Sequence, residues 1–371
     1  MKILLIHNFY KLFGGEDRYY ELLKSLLAKN GHKIAIFTKK SSDINLYKNS
    51  ASELESIISL FKPDLIHLNN VFPLLAPFVY KLCRSSTIPT VQTIHTFRFL
   101  CPKGTLYRNG SFCDLCVRRK LKIPSILYSC YRGSRIYSAA FAAMLAIYSI
   151  PEALRNINML IFPSKQANAY YLKNLNLSEN CTKVIPHFTS DINYNKTVTN
   201  SYFLYLGRLS EEKRVLELAE TFSQLPSIKL VIIGDGPLRQ KLLHFRKYAN
   251  IKILLFQPQK VVLSYLKNAL FTVIPSIPHF EFGPYVMLES FASGTPVIVP
   301  QGGVFEDRVI EGKTGFFFQP FNFTSLKQLL SRITQKNNFD DMRLASRKEF
   351  ESKYTAAIHY KNLLKVYKNV L

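Results

Sequence analysis

The chain has 371 residues, with 49 Lys and Arg against 25 Asp and Glu and a formal net charge of +24. That length exceeds one typical core, so two domains are expected, and 47% hydrophobic with 20% charged residues excludes a disordered chain. The charge implies an anionic partner (nucleic acid, an acidic membrane surface or a phosphorylated small molecule) without choosing among them.

The apolar run after Lys2 is only four residues long, too short for a signal-peptide core, and the run at 139–147, AAFAAMLAI, is too short to cross a bilayer. A cytoplasmic chain with six reduced cysteines is the expectation, and any membrane contact would be peripheral.

In chain order, KILLIH (2–7) reads as a buried strand, and EDRYYELLKSLLAKNG (16–31) as a helix closed by Gly31. KIAIF (33–37), DLIHL (64–68), TVQTIH (90–95) and MLIFPS (159–164) repeat the strand pattern with helical stretches between. Continuous apolar strands separated by helices predict βαβ units and parallel sheets covered on both faces. A polar stretch at 189–201, TSDINYNKTVTNS, interrupts the rhythm as a linker. The alternation restarts with YFLYLG (202–207), KLVIIG (229–234), IKILLF (251–256), LFTVIP (270–275), PVIVP (296–300) and GFFF (315–318). The expected architecture is α/β, with two doubly wound Rossmann-like domains, 1–188 and 189–350, facing a central cleft. A final helix at 351–371 returns to the first domain.

The loops after the strands carry the chemistry. After 202–207 comes Gly207-Arg208 and then a helix with Ser210 as N-cap. Arg208 and Lys213 flank that helix start and make either an anion site or two solvated cations. Gly234-Asp235-Gly236, with Pro237 at a helix start, allows close ligand approach or is an ordinary strand-to-helix turn. Gly14 and Gly15, followed by Glu16, form a similar loop in the first domain, and Gly302-Gly303 opens a further helix. In HFEFGPYVMLESFASGTPVIVP (279–300), Glu281 precedes a helix that starts after Gly283-Pro284, and Glu289 lies inside it among apolar neighbours. A partly buried carboxylate needs hydrogen-bond donors, and the adjacent hydroxyls of a ribose or a sugar supply them. His95 ends its strand either as a packed residue or as a functional one.

Taken in order, Gly14-Gly15-Glu16, GRLSEEK, GDGPL, the Glu281-to-Glu289 spacing, SGTPVI and the Gly302-Gly303 loop resemble glycosyltransferase family 4, the retaining enzymes of GT-B fold. DLIHLNNVFP and HTFRFLCPKG are similar to its bacterial surface-polysaccharide members. The resemblance implies a hexosyltransferase-type enzyme using a nucleotide-diphosphate sugar, such as a UDP- or GDP-sugar, with no further cofactor. Arg208 and Lys213 would hold the diphosphate and Glu289 the ribose. Glu281, with the backbone at Phe282 and Gly283, would meet the transferred sugar. Gly15 would approach the donor, with His95 near its sugar. Pro284 stands where many relatives have Gly and lacks an N–H.

No DxD-type motif lies in a suitable loop, because Glu306-Asp307 falls on a predicted helix, so metal-free front-side attack with retention is expected. Cys101, Cys113, Cys116 and Cys130, spaced C-x11-C-x2-C-x13-C, suggest either a structural zinc or reduced apolar thiols. Residues 117–150 begin basic and become apolar, which reads either as a buried helix with a wet basic flank or as a contact with an anionic membrane surface. In the second case the acceptor would be a lipid-linked sugar or glycan, the enzyme would sit on the inner face of the plasma membrane, and the excess charge would concentrate in the first domain. A nucleic-acid-binding protein is the competing class, but no nucleic-acid motif accompanies the charge and it leaves the glycine loops unexplained. A nucleotide-sugar epimerase or a glycan phosphorylase would share the fold, and the phosphorylase lacks its cofactor-lysine motif.

Overall fold

The computed structural model describes residues 1–10, 13–40, 49–73, 75–194, 202–335 and 338–371. The chain folds as two units, Met1–His187 with His359–Leu371, and Phe188–Ile358. Of the polar stretch read as a linker, residues 195–201 lie outside the described residues.

The first unit runs β1 Lys2–Phe9, α1 Gly15–Lys29, β2 Lys33–Lys40, α2 Ser50–Phe61, β3 Leu65–Leu68, α3 Ala76–Ser85 and β4 Thr90–Thr93. It continues with a small hairpin, β5 Tyr107–Arg108 and β6 Ser111–Phe112, then α4 Ile123–Leu127, α5 Arg135–Ile147, α6 Ile150–Ala153, β7 Met159–Phe162, α7 Lys165–Leu175 and β8 Thr182–Val184. Its sheet is parallel in the order β2-β1-β3-β4-β7-β8, with Ile3 opposite both Ile34 and Leu65. Ile3 to Ile6 are fully buried because helices cover both faces of the sheet. On α1 the apolar stripe Tyr19, Tyr20, Leu23, Leu26 and Leu27 follows the helical period and supplies one of those covers.

The second unit runs β9 Tyr202–Leu206, α8 Val215–Ser223, β10 Lys229–Ile233, α9 Arg239–Leu243, β11 Ile251–Leu254, α10 Gln259–Asn268, β12 Phe271–Val273, α11 Tyr285–Ala292, β13 Val297–Pro300, β14 Gly315–Phe318, α12 Phe323–Ile333 and α13 Asp340–Lys353. Its parallel sheet has the order β11-β10-β9-β12-β13-β14, over a core in which Phe271 stacks on Phe203 and meets Phe339 edge-on. In each sheet the chain winds outward from one strand and then restarts on that strand's other side. The switch points fall between β1 and β3 and between β9 and β12, where doubly wound sheets open a crevice at their carboxyl ends.

The stretch expected as one final helix breaks at Tyr354 and Thr355, between α13 and α14 Ala356–Val370. Tyr354 leaves helical geometry and is buried in the second unit beside Phe291, whereas His359, Leu363, Val366 and Tyr367 are buried in the first. The hairpin β5–β6 and the strand β8 were not read from the sequence, being too short to carry a two-residue period.

Candidate active site

At the end of β9 the backbone passes Gly207 and Arg208 into a tight turn rather than a helix. Residues Glu211–Lys213 form a single 3-10 turn, and α8 starts only after Arg214 in left-handed geometry. Ser210 does not cap α8; its hydroxyl instead donates to Glu212 Oε1 at 2.6 Å. The turn is fastened to the neighbouring loop, with Gly207 N–H bonding Ile233 O at 3.1 Å and Leu209 N–H bonding Asp235 O at 2.9 Å. This proximity explains two glycines. A Cβ at Gly234 would lie 1.9 Å from Gly207 O, and one at Gly236 would lie 2.5 Å from Leu209 O. Close backbone packing already requires glycine at both places, and Pro237 stands in the turn ahead of α9 rather than inside it.

Lys213 is positioned by this turn, with Ile277 N–H reaching back to Glu212 O at 3.1 Å. Its ammonium lies 2.5 Å from Glu281 Oε1 and 5.0 Å from the Phe280 ring centroid. The carboxylate of Glu281 is 7% exposed and the ammonium 23%. Two residues with separate roles in the sequence reading are therefore one ion pair. Arg208 is exposed at the rim of the same turn, and its carbonyl accepts the Tyr205 hydroxyl at 2.7 Å.

Phe282 is buried and Gly283 partly so, and Pro284 is the N-cap of α11 with φ −64°. Helical donors start at Tyr285, so proline's missing N–H removes no bond from the helix itself. Glu289 is only 4% exposed on α11, among Met287, Leu288, Phe291 and Ala292, so it is not a wet surface carboxylate.

Residues Gly303–Phe305 form a 3-10 turn and not the expected helix, and Glu306-Asp307 sit in the turn that follows. This loop delivers a residue the sequence did not single out, Arg308, buried within electrostatic reach of Tyr354, Asp307 and Glu281. Burial pulls its guanidinium down from the usual arginine range, and these partners oppose that. Its signal in the sequence was no more than a cation five residues after Gly303. The second unit thus sets Lys213 and Arg308 against Glu281 near the β9–β12 switch point, with Arg208 exposed on the turn that carries Lys213, a cationic setting suited to a diphosphate.

In the first unit, Gly14 and Gly15 lead into α1 as an exposed loop. The loop is tied down by Asp17, whose Oδ2 accepts Gly14 N–H at 2.8 Å while Oδ1 meets His7 Nε2 at 2.8 Å. Both His7 and Asp17 are fully buried, a pairing invisible in the sequence because it joins a strand to a helix. Glu16, Asn69, Asn70, Thr93 and His95 line one small pocket beside the β1–β3 switch point. His95 is 9% exposed, with Nδ1 3.4 Å from His187 Nε2 and no hydrogen-bond partner on Nε2. Burial, reinforced by His7 and His67, holds His95 well below the ordinary histidine range, so it is a neutral ring. Burial pushes the Glu16 carboxyl up to about 7, against the pull of Arg98. Beside Glu16 this pocket offers the neutral hydrogen-bonding groups of Asn69, Asn70, Thr93 and His95, which can serve sugar hydroxyls.

Cys101, Cys113, Cys116 and Cys130 do come to one place, the wall of a small pocket. They line it without converging: among the described residues no group of three or more His, Cys, Asp and Glu side chains is arranged to hold a metal ion. Burial also pushes the Cys116 thiol up to about 11 and raises Cys130, which favours neutral thiols. Of the two readings of these cysteines, the structural zinc finds no support in the geometry.

Known proteins match at each level of this description. The family model for glycosyl transferases group 1 matches residues 189–349, and that for glycosyltransferase family 4 matches residues 13–190. A 2-deoxystreptamine N-acetyl-D-glucosaminyltransferase of Niallia circulans is 30% identical over a match that spans 44% of this chain and 44% of that protein. An uncharacterized glycosyltransferase of Methanocaldococcus jannaschii is 25% identical over 100% of this chain and 99% of its own length. Among solved structures, Anabaena HepE in complex with UDP-glucose is similar in fold, with a TM-score of 0.70 at 15% identity and 100% of both chains covered. These matches define a glycosyltransferase of GT-B fold. The chain belongs to the family 4 type of these enzymes.

Proposed function

We propose that the enzyme transfers a hexosyl residue from a nucleotide-diphosphate sugar, with retention of anomeric configuration, to a glycan or lipid-linked acceptor. The observation that carries this reading is the placing of Lys213 and buried Arg308 against Glu281 beside the second switch point.

When the bond from the anomeric carbon to the diphosphate oxygen breaks, the departing nucleoside diphosphate gains negative charge. Arg208 and Lys213 stabilise that charge, and fixed cations need no reorganisation during the step. The acceptor hydroxyl attacks from the same face, and its proton passes to the departing phosphate oxygen. Glu281 holds the Lys213 ammonium in place and, with the backbone at Phe282 and Gly283, hydrogen-bonds the sugar. Glu289 takes the ribose hydroxyls. In the first unit the neutral His95 can donate to a sugar hydroxyl without adding charge. UDP-glucose in the complex of the fold neighbour supports a UDP-sugar as the first donor to try.

A thermal-shift panel of UDP- and GDP-sugars tests the donor. A ligand at a hundred times its dissociation constant adds about 2.7 kcal/mol of stability. No shift with any nucleotide sugar would remove the reading. Retention is tested separately by the anomeric configuration of the first-formed product, and an inverted product would overturn the front-side step.

A further inference from the structure

Ten of the 18 large hydrophobic residues that are exposed among the described residues lie between Phe112 and Tyr148. On α5 the exposed residues Ile136, Ala140, Ala143 and Ile147 fall at i, i+4, i+7 and i+11, one stripe along one face. The opposite face, Ser138, Phe141, Ala142 and Leu145, is buried in the unit. The helix is therefore apolar on both sides, and only one side has a protein partner. The short α4 packs beside it and leaves Ile123 and Leu127 exposed, with Leu121 just before it at 60%. Among the described residues no single helix is long and apolar enough to cross a membrane.

The charges around this face choose its occupant. Arg118, Arg119, Lys120, Arg132 and Arg135 are exposed there, and no acidic residue occurs between Asp114 and Glu152. One expected cation is absent from the face: Lys122 is 4% exposed, and its ammonium donates to Cys116 O at 2.8 Å. The first unit as a whole has 28 basic against 10 acidic residues, a net +18, whereas the second has 21 against 15, a net +6. An uncovered apolar stripe beside these five exposed cations matches the boundary between anionic headgroups and acyl chains.

We propose that α4, α5 and the preceding 112–122 loop form the face by which the enzyme rests on an anionic lipid bilayer, with Ile136 and Ile147 entering the acyl boundary and Arg118, Arg119 and Lys120 meeting the headgroups. This goes beyond the transferase reading and is measured without any nucleotide sugar, so its failure leaves that reading standing.

The test is cosedimentation with vesicles. The full chain is expected to pellet with phosphatidylglycerol vesicles, weakly with phosphatidylcholine, and less at high salt, because a bilayer's field is screened. The R118Q/R119Q/K120Q variant, confined to exposed residues, should bind phosphatidylglycerol about a hundredfold more weakly. The I136S/I147S variant, with an unchanged thermal midpoint as proof of folding, should lose the salt-resistant part of binding. No pelleting of the wild type, or undiminished pelleting of both variants, overturns the proposal. Concentration-dependent dimers that the I136S/I147S variant abolishes, without vesicle binding, would overturn it in favour of a second copy of the chain.

Discussion

The two sheets share one winding pattern and carry opposite chemistry at their switch points. In the second unit the loops after β9, β12 and β13 bring charges together, with Lys213 held against Glu281 and Arg308 buried close by. In the first unit the loops after β1, β3 and β4 present Asn69, Asn70, Thr93 and a histidine that burial keeps neutral. On the reading proposed above, the second site answers a diphosphate with compensating charge, whereas the neutral groups of the first cost less to desolvate. The same backbone plan serves both because the ligand chemistry lies in the loops and not in the strands.

The buried histidines give the largest expected separation between the units. His67 is bonded to Tyr367 and Thr93, and His359 to Tyr19 and Pro186, all inside the first unit. Burial lowers His67 to about 3 and His359 to about 4. The unfolded chain therefore binds more protons than the folded one from about pH 6.5 downward, so stability is present above that pH and is lost on acidification. At pH 5 the loss is roughly 2 kcal/mol for each of these histidines. Thermal melts between pH 7 and 5 should show the first unit's transition falling, and His67→Gln should flatten that fall. A pH-independent midpoint would contradict the neutral buried rings.

The charged site should break next. Lys213→Ala and Arg208→Ala are each expected to slow transfer by about a hundredfold, as loss of one transition-state charge stabiliser does. Initial rates at saturating donor check this, and near-wild-type turnover in both variants would remove the diphosphate assignment. Lys213 and Glu281 are in contact, so their effects should not add. A cycle of Lys213→Ala, Glu281→Gln and the double variant should give a coupling of about 1 to 3 kcal/mol, read from kcat/KM. A coupling near zero would mean that the ion pair has no part in transfer. The smallest expected effect is that of a chelator. Because fixed cations from the chain neutralise the leaving group, transfer should persist in excess EDTA, and restoration of lost activity by magnesium or manganese would overturn this.

The apolar strand runs, their alternation with helices and the resulting pair of doubly wound sheets were legible in the sequence, because continuous runs of Ile, Leu, Val and Phe have no place except inside a covered parallel sheet. The positions of Arg208, Lys213 and Glu281 on strand-to-helix loops, and of Glu289 inside the helix that follows, were legible for a similar reason: glycine and proline mark where those strands end. The tertiary structure decided what these residues touch. Periodicity along one segment says nothing of partners 68 residues away, as Lys213 and Glu281 are, or 10 residues away across a strand and a helix, as His7 and Asp17 are. It also decided that Gly234 is demanded by the backbone of Gly207, that Lys122 is buried rather than wet, and that four cysteines can line one pocket without converging on an ion. Each of these depends on distances between chain segments, which the order of residues alone does not contain.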